Sequence, residues 1–174
     1  MSYGSQSNSQ STGSSRFNCP STSGDSRSTA NLSANSDTYS WSYGTEIRYL
    51  VDLTKAITNV WYYKTPLSAL QLTQLIFYHA FLILKTEGHY YSLEKNDNGI
   101  LMQKSRNVSD VVSKVEGKQR NAVTKLNEKK VKNKSMKELV AHIEESEIGI
   151  EYISSSNIHN CKGFADRALK LLDS

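Results

Sequence analysis

The run Ile76–Thr86 restricts the fold of this chain more than any other segment. It is rich in aromatic and β-branched residues, and it stops at Glu87-Gly88, a pair typical of a tight turn. A second run of this kind, His89–Lys95, follows directly, and the turn sequence Asn96–Gly99 separates it from a third, Ile100–Lys104. Strands joined by tight turns pair in antiparallel fashion. The sequence therefore predicts an antiparallel meander.

Amphipathic patterns on both sides of the meander predict helices. Apolar residues recur at helical spacing in Glu46–Val60 and in Cys161–Leu172, and a capping box opens a further helix over Ser135–Glu145. A short helix is expected after Pro66, and a short strand at Gly149–Ile153. We therefore predict an α+β fold, in which a small antiparallel sheet packs with helices.

The first part of the chain has a different composition. Residues Met1–Ser40 are rich in serine and asparagine and contain almost nothing apolar to bury. A segment of this kind cannot offset the entropy cost of folding, so we expect it to be a disordered tail. The folded domain is then expected at residues 41–174.

Several absences bear on location. No apolar run reaches the roughly 18 residues that a membrane span requires, and the start of the chain has no signal-peptide pattern. The two cysteines, Cys19 and Cys161, cannot form a disulfide framework. These features predict an intracellular, cytoplasmic protein without a transmembrane anchor.

The segment Lys104–Lys137 is strongly basic. It carries eleven lysines and arginines against three acidic residues, whereas the whole chain has a net charge of only +4. Apolar spacing predicts one or two helices here, in a basic insertion at about residues 105–134. Such a segment could contact an acidic protein, RNA or an anionic membrane surface. The alternative interpretation is a solvated helical face without a partner.

Two residues have the chemistry of a nucleophile and a base. Cys161 lies at the first turn of the last predicted helix, where unpaired amides and the helix dipole stabilise a thiolate. His79 lies within the first meander strand, where an unpaired imidazole would be costly to bury. A buried apolar cysteine and a histidine bonded to the backbone are the structural alternatives.

The contexts of these residues resemble a known superfamily. Asn160-Cys161 opening a helix, with Phe164 three residues on, is similar to the "NC" box of circularly permuted papain-like thiol enzymes, and His79-Ala-Phe-Leu-Ile-Leu is similar to their "H" box. The superfamily includes lecithin:retinol acyltransferase-like, NlpC-like and PPPDE-like proteins. The resemblance covers roughly Tyr78 to Leu172. It implies a permuted papain-like fold with Cys161 as nucleophile and His79 as base.

A third polar residue in these families lies on the strand after the turn and orients the base. If Thr86 pairs with His89 across the turn, Glu94 lies diagonal to His79 on the same face of the sheet. A carboxylate there would hold the imidazole tautomer, so Glu94 is our choice, while Ser92 and Tyr91 remain open. No spaced set of zinc ligands and no glycine-rich phosphate loop is present, so we expect no metal and no cofactor.

These observations lead to one function and one alternative. The sequence predicts a cysteine hydrolase or acyltransferase that acts through Cys161 and His79 on an amide, isopeptide or acyl bond of a protein or acylated substrate. The alternative is a non-catalytic binding module that keeps the fold and contacts a partner through Lys104–Lys137.

Overall fold

The computed structural model describes residues 39–66, 78–156 and 158–174. The predicted disordered tail lies outside the described residues up to Thr38, and the short helix expected after Pro66 lies outside them as well. Ser40, the last residue of the predicted tail, already belongs to a strand. Within the described residues, the first regular element begins at Ser40.

The strands form one large sheet and one small hairpin. Their bounds are Ser40–Tyr43 (β1), Asn59–Pro66 (β2), Tyr78–Lys85 (β3), Tyr90–Asn96 (β4), Gly99–Ser105 (β5), Lys114–Val115 (β6), Lys118–Gln119 (β7) and Thr124–Lys130 (β8). The large sheet has six strands in the order β1-β5-β4-β3-β2-β8, all antiparallel, and β6 pairs with β7. The predicted meander is confirmed as β3, β4 and β5.

Four α-helices of the described residues accompany the sheet. Their bounds are Ile47–Leu50 (α1), Val108–Ser113 (α2), Met136–His142 (α3) and Cys161–Asp173 (α4), and a π-helical stretch, Ile143–Glu147, continues α3. The capping box before α3 is present, because the Ser135 hydroxyl accepts from the Glu138 amide while the Glu138 side chain accepts from the Ser135 amide. The α+β class and the helices predicted at α3 and α4 are confirmed.

Both faces of the central strand β3 are buried. Ala80, Leu82 and Leu84 pack into the main core, with apolar residues of α1, α3 and α4. Phe81 and Ile83 point to the other face, where they form a smaller cluster that includes a valine of α2. This double coverage explains why β3 reads as a continuous apolar run rather than as an alternating one.

The helix predicted over Glu46–Val60 is wrong beyond its first turn. Apart from Glu46, which ends a short 3-10 helix, only α1 is helical there, and Asp52 next accepts bonds from the amide and hydroxyl of Thr54, which closes a turn. From Asn59 the chain is the strand β2, paired with β3 on one side and β8 on the other. Sheet pairing on both edges outweighs the helical spacing of the apolar residues.

The basic segment contains more strand than helix. Of the one or two helices expected here, one is present as α2, while the residues after Ser113 form the β6–β7 hairpin and the edge strand β8. Gly117 takes a φ of 80° in the hairpin turn, a conformation that favours glycine. The strand predicted at Gly149–Ile153 is also wrong, since these residues form a loop.

Candidate active site

Cys161 is the first residue of α4. The Asn160 side chain caps this helix by accepting a 2.9 Å bond from the amide of Gly163. An asparagine N-cap with extended backbone is a common start for a helix, so the local sequence places Cys161 at the N-terminal end of the dipole. The cysteine is 4 % exposed.

The thiol lies where the strands β3 and β4 separate. Pairing between β2 and β3 continues to Pro66 and Tyr78, whereas pairing between β3 and β4 ends at Phe81 and Glu94. At this opening Sγ of Cys161 lies 3.8 Å from the carbonyl oxygen of Tyr78. The end of α4 thereby meets the strand that carries His79.

The His79 ring lies between the thiol and Glu94. Its Nε2 atom is 2.6 Å from Oε2 of Glu94, and the ring lies close enough to the thiol of Cys161 for each group to shift the pKa of the other. Because Nε2 faces Glu94, Nδ1 is the ring nitrogen left for the sulfur. The predicted residues Cys161, His79 and Glu94 therefore lie next to one another, in that order.

The strand register explains the position of Glu94. The Thr86 amide donates to the His89 carbonyl at 3.0 Å, and Phe81 stands opposite Glu94, as expected from the two-residue turn. Successive side chains of a strand point to opposite faces, so His79, two residues from Phe81, lies on the same face of the sheet as Glu94. Ser92, an alternative third residue, instead accepts a bond from Gln103.

The contacts shift the ionisation of both reactive groups. Burial by itself lowers the pKa of His79, but hydrogen bonds with Cys161 and Glu94 and the Glu94 charge raise that pKa to about 9. Burial raises the pKa of Cys161, but the hydrogen bond and charge of His79 outweigh it, so the pKa of the thiol is lowered. Each group therefore favours the ionised form of the other, the thiolate beside the imidazolium.

Tyr152 is a second group at the thiol. It precedes α4 in the loop, and its hydroxyl lies near enough to Cys161 to help lower the thiol pKa. Burial first, and then the nearby Cys161, raise the pKa of Tyr152 to about 12, so its hydroxyl keeps its proton. The sequence analysis missed this residue because a loop has no spacing rule that indicates where a side chain points.

Arg120 is the other site residue that the sequence analysis missed. It counted there as one charge of the basic segment, but it is 8 % exposed and its guanidinium bonds to both oxygens of Glu94. Burial raises the pKa of Glu94, but the contacts with His79 and Arg120 reverse this and lower it to about 2. Glu94 is therefore ionised throughout the neutral range.

A cleft of about 270 Å³ opens beside the His79 ring. Its lining residues come from β2, β3, β4 and the hairpin region: Thr65, Pro66, His79, Glu94, Asn96, Val115, Gln119, Arg120 and Asn121. Three of them carry side-chain amides, which can both donate and accept hydrogen bonds. Cys161 does not line this cleft.

The loop before Cys161 is held at several points. Lys95 is buried, and its ammonium donates to the carbonyl oxygens of Glu147 at 3.3 Å and Ile150 at 2.7 Å. Arg167 binds both carboxylate oxygens of Glu147, at 2.6 and 2.7 Å, and donates to the carbonyl of Ile158 at 2.6 Å. These contacts fix both ends of the loop relative to the sheet and α4.

The described residues contain neither a cluster of metal ligands nor a helix that could span a membrane. No group of three or more histidine, cysteine or acidic side chains in this part of the chain could hold a metal ion. None of the helices in the described ranges is long and apolar enough to cross a membrane.

In comparisons with known proteins, no family model matches the chain, and neither a curated protein nor a solved structure matches it significantly.

Proposed function

We propose that this protein is a cysteine hydrolase or acyltransferase in which Cys161 is the nucleophile and His79 the base. The observation that carries the proposal is the continuous set of contacts from the thiol at a helix N-terminus, through the imidazole, to a buried carboxylate. A nucleophile next to a base that a third group orients is the arrangement that covalent catalysis needs.

The reaction follows from these positions. The Cys161 thiolate attacks the carbonyl carbon of an amide, isopeptide or acyl bond, and a new C–S bond forms while the carbonyl electron pair moves to oxygen. The amide at the start of α4 stabilises that oxyanion. When the oxyanion collapses, the bond to the leaving group breaks and the His79 imidazolium gives that group its proton. Water, or another acceptor that His79 activates, then attacks the thioester carbonyl. The C–S bond breaks, and the acyl group leaves Cys161.

A permuted papain-like fold is part of the same proposal. The chain order, with the base on an antiparallel strand and the nucleophile on a later helix, supports it. So does the helix N-terminus that meets the sheet where β3 and β4 separate. This fold serves both hydrolases and acyltransferases among the proteins that the two boxes resemble.

The cleft beside His79 favours an amide-containing substrate. Asn96, Gln119 and Asn121 line it, and their side chains suit the donors and acceptors of a peptide group. Because Cys161 is 4 % exposed, a substrate reaches the sulfur only after a movement that uncovers it. Tyr152, which contacts the thiol from the loop, is the side chain that we assign to this movement.

The pH dependence of Cys161 alkylation tests the proposal. In a Cys19→Ser background Cys161 is the only cysteine, so iodoacetamide reports on it alone. We expect the alkylation rate to rise with pH through the lowered pKa of Cys161, below the pH at which an ordinary thiol ionises. Acyl transfer needs the imidazolium proton as well, so its rate should fall again near pH 9, where His79 loses that proton.

The control for this prediction is His79→Gln, which removes the partner charge. The alkylation rate should then rise only at the pH of an ordinary or buried thiol. An unsubstituted protein whose Cys161 already behaves in this way would contradict the proposed function.

The alternative, a binding module, has its own support in the exposed lysines near β8. Lys130 and Lys132 line a second cleft with Leu172, Asp173 and Ser174. If this surface binds RNA, an acidic peptide or anionic vesicles, affinity should fall steeply with salt concentration.

Neutralising Lys129, Lys130, Lys132 and Lys134 together tests that alternative. For binding to single-stranded RNA, each lost phosphate contact should reduce the slope of log K against log salt by about one unit. An unchanged slope, measured by fluorescence anisotropy on the full chain, would show that these lysines do not contact the RNA. Lys55→Gln is the control, since Lys55 pairs with Glu87 and does not line the second cleft.

A further inference from the structure

Arg120 is held more tightly than any role on a solvated basic face requires. Its Nη1 atom donates to Oε2 of Glu94 at 3.1 Å, its Nη2 atom donates to Oε1 of the same carboxylate, and Nε donates to the Lys114 carbonyl at 3.1 Å. The guanidinium carbon also lies 4.1 Å from the centroid of the Phe81 ring. The side chain is thus fixed by a fork of bonds and by stacking.

The hairpin that carries Arg120 is itself fixed to the sheet. The Gln103 side chain accepts from the Glu116 amide at 2.8 Å and donates to the Lys114 carbonyl at 3.2 Å. The Gly117 amide donates to the Tyr39 hydroxyl at 3.1 Å. These contacts do not involve the thiol, so Arg120 is in place before any substrate binds.

Arg120 also balances the charges of the site. With Arg120 present, the thiolate, imidazolium, carboxylate and guanidinium add up to zero. Without it, the ionised site would hold two negative groups and one positive group, all largely buried. An uncompensated charge is costly to bury, and the group that can most easily take up a proton is the thiolate.

We infer that Arg120 is a positioning residue that acts through Glu94. It holds both carboxylate oxygens so that one of them stays on Nε2 of His79, and its charge allows His79 and Cys161 to be ionised together. This inference rests on the proposed function and extends it to a residue of the basic segment.

The test is the pH profile of Cys161 alkylation in the full chain with Cys19→Ser. The acid limb of this profile is the pH range in which the alkylation rate rises with pH. For Arg120→Gln we expect the acid limb to move to a pH about one unit higher, so that alkylation below it is about tenfold slower. Arg120→Lys keeps the charge and should keep the limb in place, while the loss of the fork should slow reaction with a peptidyl electrophile about threefold or more.

Lys118→Gln is the matched control. It removes the same charge from the same hairpin, but Lys118 is exposed, so the limb should not move. Thermal unfolding identifies variants that do not fold. If Arg120→Gln is one of them, the slower reaction of Arg120→Lys at an unchanged limb decides in favour of the inference.

Two results overturn the inference, and they differ. If the unsubstituted chain has a low acid limb and folded Arg120→Gln keeps it, Arg120 has no such role while the proposed function stands. If the unsubstituted chain alkylates like an ordinary thiol, the proposed function fails, and the inference fails with it.

Discussion

Replacing Cys161 by alanine is expected to abolish covalent labelling of this protein by electrophilic probes. The probes should carry a short peptide, a ubiquitin-like tail or an acyl chain, because the three tails distinguish the substrate classes while the electrophile reports on the nucleophile. His79→Gln should slow labelling by about 100-fold or more, since it removes the base and the charge that stabilises the thiolate. Intact mass spectrometry measures both effects.

Cys19→Ser is the control for the labelling experiment. Cys19 is the only other cysteine of the chain, and its replacement should leave the labelling rate unchanged. Equal labelling of Cys19 and Cys161, or labelling that survives in Cys161→Ala, would contradict a nucleophilic role. A clear preference for the peptide tail would support the interpretation of the amide-lined cleft.

Replacing Glu94 by glutamine is expected to damage both the reaction and the fold. The change leaves Arg120 buried without its counter-charge, and breaking one side of a buried ion pair costs about 3–5 kcal/mol of unfolding free energy. It also removes the carboxylate from Nε2 of His79. The imidazolium loses its support, so the labelling rate should fall by about 100-fold or more.

The double variant Glu94→Gln with Arg120→Gln separates these two effects. It removes both charges, so most of the unfolding free energy should return while the labelling rate stays low. Glu87→Gln is the matched control, because Glu87 is exposed on the same hairpin and its loss should change neither quantity. A Glu94→Gln protein that labels within twofold of the unsubstituted rate would exclude Glu94 as the orienting group.

The parts of the site that local sequence predicts are those within one hairpin or one helix. The turn at Glu87-Gly88 sets the register of β3 and β4, and the two-residue alternation of strands then puts Glu94 on the face of His79. The asparagine before Cys161 likewise sets the start of α4. Each of these relations spans a few residues or a tight turn, so the chain itself imposes it.

The wrong expectations concern segments whose structure depends on distant partners. Residues after Asn59 have apolar spacing that fits a helix, but they lie between β3 and β8 and take the extended form that satisfies both. The second half of the basic segment is another example, because β8 pairs with the edge of β2. Propensity is a weak preference that pairing of this kind overrides.

By itself, the sequence determined the meander, the capped helices and the residue types that could serve as nucleophile, base and orienting acid. Only the tertiary structure decided that the thiol of Cys161 meets His79 where β3 and β4 separate, and that Arg120 leaves the solvated face to bind Glu94. The physical reason is the distance along the chain over which each effect acts. Backbone geometry and turn chemistry act over a few residues, whereas the cost of burying a charge is settled by whichever partner the packed chain brings to it.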